Sequence, residues 1–139
     1  EGFLKLPETE LKEKLRRLGH RFPNTRAHYI VESRRFRGIK NIIEKFKDAR
    51  QAREWLVNNV KGLGWKEASH FLRNVGFVNV AILDRHVLSV LHEHELIDKM
   101  PRSLTRARYL EVEKELEKLA RRLSLTLGEL DFYLWYLKT

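Results

Sequence analysis

Apolar residues recur along this chain at helical rather than alternating spacing. Leu11, Leu15 and Leu18 fall at i, i+4 and i+7, one stripe of a 3.6-residue repeat, and Gly19 follows as a stop. Pro23-Asn24-Thr25 opens a second helix carrying Ala27, Ile30 and Val31. Ile39, Ile42, Ile43 and Phe46 predict a third, with Gly38 as the break before it, and Ala49 to Asn59 a fourth around Trp55 and Leu56. After Lys61-Gly62-Leu63-Gly64 a fifth runs from Trp65 to Val75, with Gly76 in the position of a left-handed cap. Val80-Ala81-Ile82-Leu83 is a buried-looking run too short to assign, and Asp84 stands as N-cap of the helix bearing Val87, Leu88 and Leu91. Leu110, Leu116, Leu119 and Leu123 mark a long charged helix. Thr126-Leu-Gly-Glu129 is a capping-box pattern opening a last helix with Leu130, Leu134, Trp135 and Leu137. The pattern predicts an all-α protein without internal repeats.

Length narrows this little: 139 residues predict one domain, or one large and one small lobe. Composition narrows it more. The absence of cysteine excludes a disulfide framework, a thiolate nucleophile, cysteine-ligated zinc and a cysteine-held iron–sulfur cluster. No apolar run approaches bilayer length and no signal-peptide pattern opens the chain. Because the first residue is Glu1 rather than Met, a preceding part is expected to be missing or removed. The 28 Lys and Arg against 19 Asp and Glu give a net charge of +9, which favours a polyanionic partner. A merely basic surface is the plain alternative, but the charge is local. Residues 11–40 hold ten Lys and Arg against two Glu, whereas 111–117 alternate Glu through a helix, so the surplus points to a binding face.

Residues 49–75 carry the candidate chemistry as helix, Gly-x-Gly hairpin, helix. Glycines permit a tight turn and close approach of another chain, and free amides at a helix N-terminus suit an anionic oxygen such as a DNA phosphate. The same pair of glycines also suits an ordinary helix–helix turn. Lys66 follows Trp65 in the first helical turn, where aromatic packing and the helix dipole disfavour a protonated amine, as an amine nucleophile requires. A solvated surface lysine is the ordinary reading of any one lysine. Asp84 emerges from an apolar stretch at a helix start: a plain N-cap, or a carboxylate that stabilises positive charge developing on a sugar ring. His86, two residues on, is placed to donate to a phosphate or to sit at the surface.

The string Lys61-Gly-Leu-Gly-Trp-Lys66-Glu-Ala-Ser-His-Phe-Leu-Arg-Asn-Val-Gly76, with Ile82-Leu-Asp84-Arg-His86, resembles the helix–hairpin–helix DNA glycosylase superfamily. Within it the chain is most similar to the archaeal-type, second-class 8-oxoguanine DNA glycosylase/AP lyases. The likeness extends to Leu18-Gly-His-Arg-Phe22 and to Glu129-Leu-Asp-Phe-Tyr-Leu-Trp135-Tyr-Leu-Lys138-Thr139. It implies a helix–hairpin–helix glycosylase fold over 1–139, with the hairpin region at about 49–75.

Carried over residue by residue, the resemblance makes Lys66 the Schiff-base lysine and Asp84 the catalytic aspartate. The amides of Gly62, Gly64 and Lys66, with His86, would hold DNA phosphate. Asp131 and Trp135 would line the oxidised-base pocket. Backbone carbonyls of Asn58, Val60 and Leu63 would hold a monovalent cation; no other cofactor is expected. The family carries helices ahead of Glu1 and a few residues beyond Thr139, ending in a lysine that reads the base, so a fragment of a longer two-lobed protein is implied. The implied partner is double-stranded DNA containing oxidised guanine. A monomer is expected, with no membrane association, in the cytoplasm with the nucleoid. The competing expectations are a non-catalytic helix–hairpin–helix DNA-binding module and a sister glycosylase for other oxidised or alkylated bases. The first would not need Lys66 and Asp84 at an eighteen-residue spacing.

Overall fold

The computed structural model describes residues 1–137; the last two positions of the C-terminal string, Lys138 and Thr139, lie outside the described residues. All regular structure among the described residues is helical. Helices α1 (Gly2–Lys5), α2 (Glu8–Arg17) and α3 (Pro23–Ser33) precede a 3₁₀ turn (Arg34–Phe36), and α4 (Ile39–Ile43) follows. Helices α5 (Ala49–Asn59) and α6 (Trp65–Asn74) form the hairpin, and α7 (Arg85–Glu93), α8 (Arg106–Arg122) and α9 (Leu127–Tyr136) complete the chain.

The helix ends follow the local chemistry. Pro23 occupies the first turn of α3, where its missing N–H costs nothing. Asp48, Asp84, Thr105 and Thr126 cap α5, α7, α8 and α9 through their side chains, and Thr126 with Glu129 forms a complete capping box. Gly76 takes φ +102° after α6, the left-handed conformation that favours glycine.

Two apolar cores share α6. One gathers Ile43, Ala52, Leu56, Ala68, Leu72 and Val80 from α4, α5, α6 and the segment after it. The other gathers Ala81, Leu83 and the inner faces of α7, α8 and α9, with Trp65 of α6 packed against it. Residues 80–83 form no strand; they run as a buried connector whose Val80 belongs to one core and Ala81 to the other. The seam between the cores therefore crosses the connector between Val80 and Ala81, ahead of Asp84.

Several periodic positions stand elsewhere than their spacing predicts. Leu18, at the end of the α2 stripe, is 81% exposed, and Leu123 is 53% exposed. The buried face of α8 is Tyr109, Val112, Glu113, Leu116 and Ala120, so a carboxylate joins the interior beside Leu116, while Leu119 is only partly buried. On α9, Leu127, Leu130 and Leu134 are buried whereas Trp135 and Leu137 face outward. No helix among the described residues is long and apolar enough to cross a membrane.

Candidate active site and nucleic-acid interface

The hairpin is shaped by two glycines with different tasks. Gly62 takes φ +89°, and a Cβ there would lie 2.5 Å from the Tyr29 ring of α3, so both conformation and space exclude a side chain. Gly64 is the N-cap of α6 and offers no side-chain cap. The amides of Gly62, Gly64 and Lys66 have no acceptor among the described residues, so donors at a positive helix end face outward together. A groove of about 350 Å³ bordered by Arg26, Tyr29, Lys61, Gly62 and Phe71 adjoins them, so cations flank the hairpin.

Lys66 lies in the first turn of α6, exposed, with Nζ 3.3 Å from Glu67 Oε1. Trp65 does not shield that amine. Its ring packs inward at 5.9 Å from the Tyr109 ring, with the Arg53 guanidinium 5.1 Å from its centre. Glu67 also reaches toward Gly64: its Oε2 would be 2.9 Å from a Cβ at that position. Sequence reasoning passed over Glu67, which only its place in the first turn after the hairpin marks.

Asp84 caps α7 by accepting the Val87 amide at 2.8 Å, is partly buried, and follows the buried connector. His86 is exposed on the first turn of the same helix. Asp131 of α9 is partly buried and within electrostatic reach of Asp84, Arg73 and His70. Burial pushes its carboxyl above the usual range, the Asp84 charge adds to that push, and the neighbouring Arg73 guanidinium and His70 oppose it. His70 stands one turn after Lys66 on α6, and both His70 and Asp84 lie within electrostatic reach of Asp131. Trp135 is 57% exposed and offers an open aromatic face.

Arg73 anchors this wall: Nη2 donates to the Gly128 carbonyl at 3.0 Å, and Nη1 lies 3.7 Å from Asp131. Behind it lies a second group that sequence reasoning also missed. Arg53 and Glu113, both essentially unexposed, form a bidentate pair at 2.6 Å and 2.6 Å, joined by Ser69 and Tyr109.

Among the described residues no cluster of three His, Cys, Asp or Glu is arranged to hold a metal ion. Neutral carbonyls are the other possible donors. Val60, at the C-cap of α5 with φ −105° and ψ 104°, turns its carbonyl out of the helix ladder to accept the Leu63 amide at 3.2 Å. A set of carbonyl oxygens fits a hard cation of low charge.

The model of a protein family described as 8-oxoguanine DNA glycosylase matches residues 1–125. A curated 8-oxoguanine DNA glycosylase/AP lyase of Methanocaldococcus jannaschii is 55% identical over 139 residues, covering 100% of this chain and 67% of that protein. One of Korarchaeum cryptofilum is 54% identical, covering 100% and 67%. The crystal structure of the M. jannaschii enzyme in complex with a 15mer DNA containing 8-oxoguanine superposes with a TM-score of 0.92 at 55% identity, covering 99% of this chain and 66% of that one. The 8-oxoguanine DNA glycosylase of Thermotoga maritima superposes at 0.87 with 51% identity, covering 98% and 65%. The chain thus spans about two thirds of the length of the relatives it matches.

Proposed function

The chain belongs to the 8-oxoguanine DNA glycosylase family, and from that premise we propose that its protein removes 8-oxoguanine from duplex DNA and nicks the strand, through Lys66 and Asp84. The observation that carries this reading is the 55% identity, across 99% of the chain, to a fold determined around DNA containing 8-oxoguanine. The outward amides of Gly62, Gly64 and Lys66 bind a phosphate of the lesion strand, and exposed His86 donates to another. The damaged nucleotide leaves the stack, because its C1′ is otherwise out of reach, and its base meets the face formed by Asp131 and Trp135.

Lys66 gives up its contact with Glu67 and passes its extra proton to water. Nζ then bonds to C1′ as the bond from C1′ to the base nitrogen breaks, and that electron pair departs with the base, which takes up a proton. Asp84, held by its cap bond, stabilises positive charge on the sugar. Ring opening gives the Schiff base; loss of a C2′ proton then expels the 3′ phosphate by β-elimination. The carbonyls of Asn58, Val60 and Leu63 would hold a monovalent cation, whose attraction to those oxygens would stiffen the hairpin. The protein acts as a monomer in the cytoplasm, on the nucleoid.

Borohydride present during reaction should trap a covalent protein–DNA adduct with wild type and none with Lys66→Gln. For Asp84→Asn we expect DNA binding within about twofold of wild type and base release slower by about 10²-fold or more, in line with loss of one preorganised electrostatic group. A wild type that binds duplex without forming an adduct would leave a non-catalytic DNA-binding module. Faster release of another base from a panel of single-lesion duplexes would leave a sister glycosylase.

A further inference from the structure

Residues 80–83 lead into Asp84 without a strand partner, so side chains must satisfy their backbone groups. Two residues of α8 do so. Glu113 Oε1 accepts the Ala81 amide at 2.8 Å. The Tyr109 hydroxyl accepts the Leu83 amide at 3.3 Å and shares its proton between the Ala81 carbonyl at 2.7 Å and Ser69 Oγ at 3.1 Å. The same cluster grips the first turn of α6. Ser69, three residues after Lys66, donates to the Trp65 carbonyl at 2.9 Å and accepts from Arg53 Nη1 at 3.1 Å. Arg53 in turn lies over both the Trp65 and Tyr109 rings, at 5.1 Å and 5.2 Å.

We propose that Tyr109 and Glu113, tied through Ser69 and Arg53, are positioning residues that set the Asp84 carboxylate in register with the Lys66 amine. This rests on the reading of Lys66 and Asp84 as the reacting pair. Apolar burial is non-directional and lets an extended segment slide, whereas hydrogen bonds at fixed angles pin it along its own axis. Stability alone does not call for such a cluster. A buried ion pair is often matched by apolar residues of similar volume, and here Arg53 Nε is left without a partner. What the cluster adds is registry between the connector that leads to Asp84 and the first turn of α6. Both ends of that registry carry chemistry, and misplacing a reacting group by about 1 Å costs about 10²-fold in rate.

Tyr109→Phe removes the hydroxyl and keeps the ring stack. In the full chain it should slow single-turnover release of 8-oxoguanine at saturating protein by about 30- to 100-fold, with Kd for a duplex carrying an uncleavable abasic analogue within about twofold. In an Asp84→Asn background, followed over hours, the same substitution should cost no further rate, because residues acting as a unit are non-additive. The inference is overturned if the loss is as large in the Asp84→Asn background, if Kd weakens in parallel with rate, or if release stays near wild type. Ser69→Ala, which cuts the link to α6 while leaving Tyr109 on the connector, carries the same cycle where Tyr109→Phe lowers the thermal midpoint below the assay temperature. Absence of base release from wild type would instead refute the glycosylase reading itself.

Discussion

At the residue scale, Asp84 and Asp131 show how environment divides two carboxylates. Asp84 accepts the Val87 amide at 2.8 Å and is fixed as the N-cap of α7. Among the described residues Asp131 has no such cap bond: burial raises its pKa, the Asp84 charge raises it further, and Arg73 and His70 only partly offset this. An unfolded aspartate titrates near about 3.9, so the folded state holds the Asp131 proton more tightly than the unfolded chain does. The corresponding stability is therefore present below about pH 4 and is lost as pH rises through the raised folded value. Asparagine does not titrate. The stability of wild type minus that of Asp131→Asn should thus fall as pH rises from about 4 toward 7, read from urea denaturation at each pH. Parallel profiles would mean that Asp131 titrates normally.

At the element scale, legibility followed the range of the interaction. The boundaries of α5, the start of α7 and the capping box of α9 depend on residues within one turn of each other, and their spacing announced them. Lys66 and Asp84 were legible in another way: only a family string singled them out from other charged residues. Glu113 was not legible. It stands among Glu111, Glu115 and Glu117 on a helix that reads as solvated, and its partner Arg53 lies 60 residues away on α5. Nothing local distinguishes the one glutamate of the four that is fully buried. Removing Glu113 leaves the buried Arg53 charge uncompensated, so Glu113→Ala should cost about 3–5 kcal/mol, whereas Arg53→Ala leaves Glu113 with Arg50 at 3.6 Å and should cost less. The paired replacement Arg53→Met with Glu113→Leu should cost well under the sum of the single losses, by equilibrium urea unfolding. A double loss equal to that sum would show that the two side chains do not act as a pair.

At the scale of the whole molecule, the basic surplus divides into two populations. Arg34 donates to the carbonyls of Phe3 and Leu6, Arg37 to that of Leu4, and Arg35 to that of Asn59 at the end of α5. These arginines fasten α1 and the hairpin to the 3₁₀ turn, so part of the charge that reads as a binding face in sequence is fold. Lys61 is different: it lies exposed on the hairpin beside the outward amides, and among the described residues its one ion-pair partner is Glu32 at 3.8 Å. Such a long, exposed pair contributes little to stability, which frees the ammonium for phosphate. Each neutralised phosphate releases condensed counterions, so the logarithm of the DNA association constant should fall linearly with that of salt concentration. Lys61→Ala should make that slope shallower by about 1 with thermal stability nearly unchanged. Arg34→Met should lower the thermal midpoint and leave the slope as it is, because its guanidinium is directed at backbone carbonyls rather than at DNA. Equal slopes for wild type and Lys61→Ala would remove Lys61 from the phosphate track, and a shallower slope for Arg34→Met would return that arginine to it.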